Sequence, residues 1–428
     1  MTDTIFALSS GAPPAGIGII RISGPAAGSA MRALVGGLPE PRLARLGLLR
    51  DPRDGALLDR ALLLWFPGPA TVTGEDLAEL HCHGGRAVIA AVEDALAALP
   101  GLRRAEPGEF TRRAFLNGRM DLNAVEGLAD LLAAETQQQR RAALLMAEGH
   151  FSRRIEAWQL RLLDLSAMAE AALDFSDEDD VPGAGIEIRI QQGLTDLAAQ
   201  VQAALAAPSA ERLRDGVRVV LAGPPNAGKS TLLNALVGRD AAIVSDIAGT
   251  TRDRIEVPAA LGGTAFLFTD TAGLRSETGD AIEAIGIGRA RAALAAADII
   301  LWLGAPDELP REDALLIAAQ CDLRGSADVR PGLSVSAHTG EGMETLVGAL
   351  LDRATSLLPG EGEYALHERQ RTGVAQLHEH LSAATGAADL LIVAEEMRQA
   401  RDVIDAITGR AGVEDMLDRL FAGFCIGK

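Results

Sequence analysis

The segment Gly223-Pro224-Pro225-Asn226-Ala227-Gly228-Lys229-Ser230 spells G-x-x-x-x-G-K-[ST], and it restricts the surrounding chain to one kind of architecture. Such a loop works between a buried strand and a helix N-terminus. Its glycines turn backbone N–H groups inward, and the helix end adds partial positive charge. Both flanks read that way. Val217-Arg218-Val219-Val220-Leu221 is an apolar run of strand length, and Thr231-Leu232-Leu233-Asn234-Ala235-Leu236 has the pattern of the first helical turns. Asn226, Ala227, Gly228, Lys229, Ser230 and Thr231 are therefore expected around the phosphates of a nucleotide. Lys229 would act as a point charge and Ser230 as a hydroxyl ligand of Mg²⁺. The competing reading is a glycine turn ahead of an ordinary helix. Strand, loop, Lys-Ser and helix in unbroken order argue against it.

Two further strings indicate a GTPase. Asp246-Ile247-Ala248-Gly249-Thr250-Thr251-Arg252-Asp253 follows at the distance of a first switch, where Thr251 is expected to close over the γ-phosphate and give its hydroxyl to Mg²⁺. Thr264-Ala265-Phe266-Leu267-Phe268-Thr269 reads as a strand delivering Asp270-Thr271-Ala272-Gly273. Asp270 would hold Mg²⁺ through water, and the Gly273 N–H would sense the γ-phosphate. Each string stands at a strand end, where open α/β sheets bind ligands.

Three positions depart from a Ras-like pattern. Leu274 occupies the place of the glutamine that orients the attacking water, so the nearest carboxylate, Glu283, is the candidate; a solvated helix glutamate is its bland reading. No arginine finger is evident. Asn226 could instead set its side-chain oxygen on a monovalent cation, which would have to supply about 10³–10⁵ in rate, or ~4–7 kcal/mol. Where guanine is normally read by Asn-Lys-x-Asp, this chain has Ala319-Gln320-Cys321-Asp322. Asp322 can accept both N–H groups of the guanine edge, and Ser336-Ala337-His338 matches the last base-contacting loop. A missing buried hydrogen bond costs ~1–3 kcal/mol, which weakens binding without removing a preference for guanine. A P-loop NTPase of relaxed base choice therefore stays open, as does a GTP-dependent scaffold factor without modification chemistry.

Nearly the full chain resembles the bacterial tRNA-modification GTPase family MnmE (TrmE). The resemblance is carried by Gly16-Ile17-Gly18-Ile19-Ile20-Arg21-Ile22-Ser23-Gly24, Thr73-Gly74-Glu75-Asp76, His83-Gly84-Gly85, the run Pro107 to Gly118, Asp121-Leu122, and the ending Phe424-Cys425-Ile426-Gly427-Lys428. It implies a K⁺ ion held by Asn226, Ser245, Ile247 and Thr250, with potassium-dependent pairing of GTPase domains in a homodimer replacing the finger. It implies a catalytic role for Glu283. It also implies a 5-formyl-tetrahydrofolate-type one-carbon donor at Arg21, Glu79, Arg119 and Lys428, with Cys425 close by as a further candidate. The family commonly has lysine at 119; arginine keeps the charge but not the ammonium geometry. With a flavin-containing partner, MnmG, members install an aminomethyl-type group on carbon 5 of the wobble uridine of certain tRNAs.

The fold class expected is multidomain α/β plus α. Residues 1–118 alternate short strands (Ile17 to Ile22, Leu62 to Phe66, Leu77 to His81) with a helix near Ala87 to Ala98, an α+β folate-binding and dimerisation domain. Residues 119–214 turn helical, with Leu122, Val125, Leu128, Leu131 and Leu132 read as one apolar face. Residues 215–358 form the P-loop GTPase domain, inserted before a second helical part, 359–428. Sparse aromatics, 3%, leave the cores to Leu, Ala, Val and Ile.

Cys82, Cys321 and Cys425 are scattered and odd in number, which fits a reducing cytoplasm and no disulfide framework. Without a basic, apolar leader or a membrane-length run, a cytoplasmic protein is expected. The net charge of −19 argues against a broad nucleic-acid surface, so tRNA contacts would have to come from a local patch or a basic partner. His81-Cys82-His83 lacks the further ligands of a zinc site. His378 and His380 read as solvent-facing, and the acidic run Ser176 to Asp180 as a solvated loop.

Overall fold

A computed structural model describes residues 3–174, 183–239, 256–271, 288, 290–323, 331–360, 362–410, 418 and 420–427. The chain divides into two compact units, Met1–Ala129 with Ile404–Lys428, and Asp130–Val403.

The first unit is built on strands β1 (Thr4–Leu8), β2 (Ile17–Ser23), β3 (Arg45–Arg50), β4 (Leu57–Phe66), β5 (Leu77–His83) and β6 (Leu102–Arg104). They form one six-stranded sheet in the order β3-β4-β5-β2-β1-β6, antiparallel except for β1 with β6. Alternation in the strands sends Phe6, Ile20, Ile22, Leu63, Ala78 and Leu80 to one face. The helices Ala27–Val35 and Arg86–Ala97 cover that face with Met31, Leu34, Val92 and Leu96. On the other face Ile5, Ala7 and Ala105 pack with Phe110 of the helix Glu109–Leu116. The chain's last turn belongs here too: Phe421 and Phe424 pack with Leu122 and Val125.

The expected apolar face on Leu122–Ala133 holds only in part. Leu122 and Val125 are buried and Leu128 and Leu131 half-buried, but Leu132 is exposed. Three-residue steps drift about 60° per step around a helix, so such a series cannot stay on one face for its whole length.

In the second unit, β7 (Val217–Ala222), β8 (Glu256–Leu261), β9 (Thr264–Asp270), β10 (Ile299–Trp302), β11 (Leu315–Ala319) and β12 (Leu333–Val335) form a sheet in the order β12-β11-β10-β7-β9-β8. All neighbours are parallel except β8 with β9. Consecutive residues of β7 are buried on opposite faces, Val219 and Leu221 in one core, Val220 and Ala222 in another, as a central parallel strand requires. The helices Lys229–Arg239 and Met343–Thr355 supply Leu232, Leu236, Leu346 and Leu350 to the first core.

This α/β domain is inserted in a helical part. The helix His150–Asp174 buries Phe151, Ile155, Trp158, Leu162, Leu165 and Ala169, a stripe at alternating steps of three and four. The chain leaves and re-enters side by side: the Ala210 N–H donates to the Leu366 carbonyl, and the Leu366 N–H to Pro208. Gln139 fastens that junction. Its oxygen accepts from the N–H groups of Glu135 and Thr136, and its amide nitrogen donates to the carbonyls of Leu213 and Arg214. His380, expected to face solvent, is half-buried with Nδ1 2.8 Å from Glu396 Oε2, and His378 lies 3.5 Å from Ser382 Oγ. A helix-to-helix partner draws His380 inward, which no single-helix pattern reveals.

Candidate functional site

In the second unit the phosphate loop leaves the carboxyl end of β7. Gly223 has φ 146° and Gly228 φ 90°, and a Cβ on Gly223 would stand 3.0 Å from the Leu303 carbonyl carbon. Glycine at both positions is therefore a steric requirement. Asn226 also takes a left-handed conformation, φ 60°, which asparagine tolerates better than most residues. Lys229 is buried, and its Nζ donates to the carbonyls of Gly223 at 3.1 Å and Pro224 at 2.8 Å. The ammonium is thus held at the loop, where phosphate oxygens can replace carbonyl oxygens.

Asp270, at the carboxyl end of the neighbouring strand β9, is buried and accepts a short hydrogen bond from the Ser230 hydroxyl. Thr271 turns back, its hydroxyl donating to the Leu221 carbonyl at 2.9 Å. Two oxygen donors meeting beside a lysine suit a hard divalent cation such as Mg²⁺.

A pocket of about 240 Å³ lies farther along the same strand ends, lined by Gly228, Thr231, Gln320, Asp322, Ala337 and His338 among others. Asp322 sits in the 3₁₀ turn Cys321–Leu323. Ser336 is fully buried; its carbonyl accepts from the Gly340 N–H and its hydroxyl from the Thr339 N–H, which fixes the loop that presents Ala337. Burial and the nearby carboxylates of Glu341 and Asp322 push the Cys321 thiol upward. Between β11 and β12 the described residues form only that 3₁₀ turn.

The geometry thus gathers Asn226, Ala227, Gly228, Lys229, Ser230, Thr231, Asp270, Thr271, Asp322, Ser336 and Ala337 at the ends of adjacent strands. Ser245, Asp246, Ile247, Ala248, Gly249, Thr250, Thr251, Ala272, Gly273, Glu283 and Lys428 lie outside the described residues, as do Leu274 and the acidic run Ser176 to Asp180.

The chain's matches to known proteins agree with this arrangement. The family described as MnmE helical domain matches residues 122–425, and that described as GTP-binding protein TrmE N-terminus matches residues 4–119. The chain belongs to the MnmE family of tRNA modification GTPases. A protein of that name from Rhizorhabdus wittichii is 62% identical, covering 100% of this chain and 97% of the relative. MnmE proteins of Sphingopyxis alaskensis and Novosphingobium aromaticivorans are 59% and 57% identical over 96% and 100% of this chain, and over 100% of each relative. Among solved structures, the G domain of the T. maritima FeoB iron transporter matches 32% of this chain and 98% of that domain. Its 23% identity and TM-score of 0.24 are too weak to add to the family match.

In this MnmE-family chain the first unit holds a second candidate site. The register pairs Arg21 of β2 with Glu79 of β5, and the guanidinium donates twice to Glu79 Oε1, at 2.9 and 3.1 Å. His81, two residues on and on the same face, stands 3.2 Å from Glu79 Oε2, and Arg21 lies over the Phe110 ring. Burial would raise the Glu79 carboxyl, but the charge of Arg21 and hydrogen bonds from His81 and Arg21 hold it below its ordinary value. Arg119 is exposed near Gly74 and shares no described contact with Arg21 or Glu79. The tail returns to this unit: Ile426 bridges to Pro107, and Gly427 packs on Leu8 and Ser9. Cys425 is exposed, contrary to the buried default for a lone cysteine, because the tail runs over the surface as a single bridge.

Two groupings escaped the sequence reading. Arg113, fully buried, donates to Asp3 Oδ1 and Glu75 Oε2 at 3.0 Å and to Glu109 Oε1 at 3.1 Å. His83 is exposed with Nδ1 2.7 Å from Asp59 Oδ1, while its backbone N–H donates to Asp59 Oδ2. Arg113 and Asp3 are 110 residues apart, and local pattern carries no trace of such a pair. His81 Nε2 and His83 Nδ1 each stand within hydrogen-bond distance of a carboxylate, Glu79 and Asp59 respectively.

Proposed function

We propose that this chain hydrolyses GTP in a potassium-dependent cycle. With a flavin-containing partner, MnmG, the cycle drives addition of a carboxymethylaminomethyl- or aminomethyl-type group to carbon 5 of the wobble uridine of certain tRNAs. The observation that carries the reading is the convergence of Lys229, Ser230 and Asp270 at two adjacent strand ends, in a chain of this family over its whole length.

Bound Mg²⁺ would neutralise charge on the β- and γ-phosphates. The chain's own part is to position them: loop N–H groups and Lys229 hold the phosphate oxygens, while Ser230 and Asp270 furnish oxygen donors. Thr251 and Gly273 are the switch residues in this reading, and Glu283 orients the water that Leu274 cannot. Asn226, with Ser245, Ile247 and Thr250, would hold K⁺ in place of an arginine finger, completed by pairing of two GTPase domains in a homodimer. The reading further assigns a 5-formyl-tetrahydrofolate-type donor to Arg21, Glu79, Arg119 and Lys428, and places the protein in the cytoplasm.

A GTP-turnover assay in potassium against sodium at equal ionic strength, on the full chain and on Glu283→Ala, tests this. Turnover should need potassium and should collapse in the variant. Equal rates in the two salts would remove the cation from the mechanism, and an active Glu283→Ala would remove the water-positioning role.

A further inference from the structure

The α/β domain is spliced into the helical part at a junction where one imidazole meets two carboxylates. His367 lies where the chain returns, just before the helix Glu368–Gly386. Its Nε2 stands 2.8 Å from Asp130 Oδ2, on the helix Leu122–Ala133, and its Nδ1 3.7 Å from Glu211 Oε1, on the short helix Ala210–Asp215. That short helix is fastened to the sheet. Arg212 Nε lies 2.8 Å from Asp298 Oδ1, and Asp298 Oδ2 accepts from the N–H of Arg218 in β7 at 3.0 Å. The His367 side chain is 16% exposed, and the crevice beside Asp130, also lined by Gln139, Leu213 and Arg214, holds about 20 Å³, space for one water. Solvent therefore screens these charges only in part.

The ring has two tasks that exclude each other. With Gln370 it forms a capping box: the ring accepts from the Gln370 N–H, and the Gln370 side chain accepts from the His367 N–H. Since Nε2 faces Asp130, the accepting nitrogen is Nδ1, and Nε2 carries the hydrogen. A second proton turns Nδ1 into a donor, which opposes the Gln370 N–H and suits the Glu211 carboxylate. Burial works against the Glu211 charge, but the Glu368 N–H, the Ser209 hydroxyl and the nearby His367 hold the carboxyl below its ordinary value. Other charged groups nearby are engaged elsewhere or face water: Arg214 pairs with Asp215 at 2.8 Å, Arg371 donates to the carbonyls of Leu205 and Ala207, and Glu368 is exposed.

We propose that His367 is a proton-operated latch between the helical part and the α/β domain inserted in it. Neutral, it caps the helix Glu368–Gly386. Protonated, it gives up the cap and bridges Asp130 to Glu211, drawing the short helix Ala210–Asp215, and the sheet fastened to it, onto the helical part. An ordinary imidazole pKa of ~6.5 puts the change close to neutral pH. The latch needs no bound nucleotide.

Hydrogen exchange followed by mass spectrometry on the full chain, at about pH 8 and about pH 5.5 with exchange times scaled for the intrinsic rate, tests this. In wild type, acid should lower protection in residues 368–373 about five-fold, the worth of a helix cap, and raise it in residues 209–215. His367→Asn keeps a good cap and does not titrate, so protection in both segments should be the same at the two pH values. Glu211→Gln should abolish the gain in residues 209–215. A wild type indifferent to pH, a His367→Asn protein that still responds, or an acid gain that survives Glu211→Gln would each overturn the latch.

Discussion

Ser230 gives its hydroxyl hydrogen to the carboxylate of Asp270, a residue forty positions later on the neighbouring strand. The contact places two oxygen donors side by side. In the Mg²⁺ reading both would serve the cation, so the worth of the Ser230 hydroxyl would depend on the metal. Ser230→Ala should therefore lower GTP affinity on the order of ten-fold in Mg²⁺, equivalent to about 1.4 kcal/mol, and hardly at all in EDTA. Titration with a fluorescent GTP analogue in both buffers measures this. Equal losses with and without metal would show that the hydroxyl serves the loop alone.

In the GTP reading, Asp322 offers two acceptor oxygens to the base in the pocket that it lines. An asparagine would replace one of them with an N–H₂ donor, which matches the C2 carbonyl of xanthine and opposes the 2-amino group of guanine. Asp322→Asn should cost about 100-fold in GTP affinity, from lost hydrogen bonds of ~1–3 kcal/mol each, and should raise XTP affinity. Competition of XTP against GTP reads out the switch. Retained guanine preference would mean that another group reads the edge.

In the first unit, Arg113 balances Asp3, Glu75 and Glu109 where water cannot reach its guanidinium. Removing one partner of a buried ionic cluster costs about 3–5 kcal/mol, because the carboxylates left behind lose their counter-charge. Arg113→Leu in the full chain should show that loss as faster hydrogen exchange in β1 and β2. Wild-type protection there would make the cluster energetically neutral.

The same cluster gives a pH dependence. Burial works against the Glu109 carboxylate, but hydrogen bonds from Arg103, the Glu106 N–H and Arg113 hold its pKa below the ordinary value. For Asp3, burial likewise opposes the charge, and Arg103 and Arg113 outweigh it. A carboxyl lowered on folding adds stability above its unfolded pKa, about 4 for these groups, and loses it as pH falls through the folded value. Thermal stability should hold from neutrality to about pH 5 and then drop. Glu109→Gln should be less stable at neutral pH and show a shallower acid limb. An unaltered limb would place the acid sensitivity elsewhere.

Gly427 has φ 95°, and a Cβ there would lie 2.2 Å from the Leu8 carbonyl oxygen. Gly427→Ala should release the tail from the end of β1, seen as faster proteolysis of the C-terminus with the helices intact. In the folate reading, the variant should also weaken binding of the one-carbon donor. A tail as protected as in wild type would refute the steric argument.

Local pattern was enough to identify the strand–loop–helix around Lys229, the strand ending at Asp270, the α+β character of the first part and the helical insertion frame. Each is set by residues within a dozen positions of one another, through period, turn chemistry and burial. The register that sets Arg21 against Glu79, the meeting of Ser230 with Asp270, and the enclosure of Arg113 by three carboxylates were decided only by the folded chain. Apart from Arg113 with Glu109, four residues away on the same helix, these pairs join segments 38 to 110 residues apart, and their energy comes from exclusion of water that no single segment can achieve.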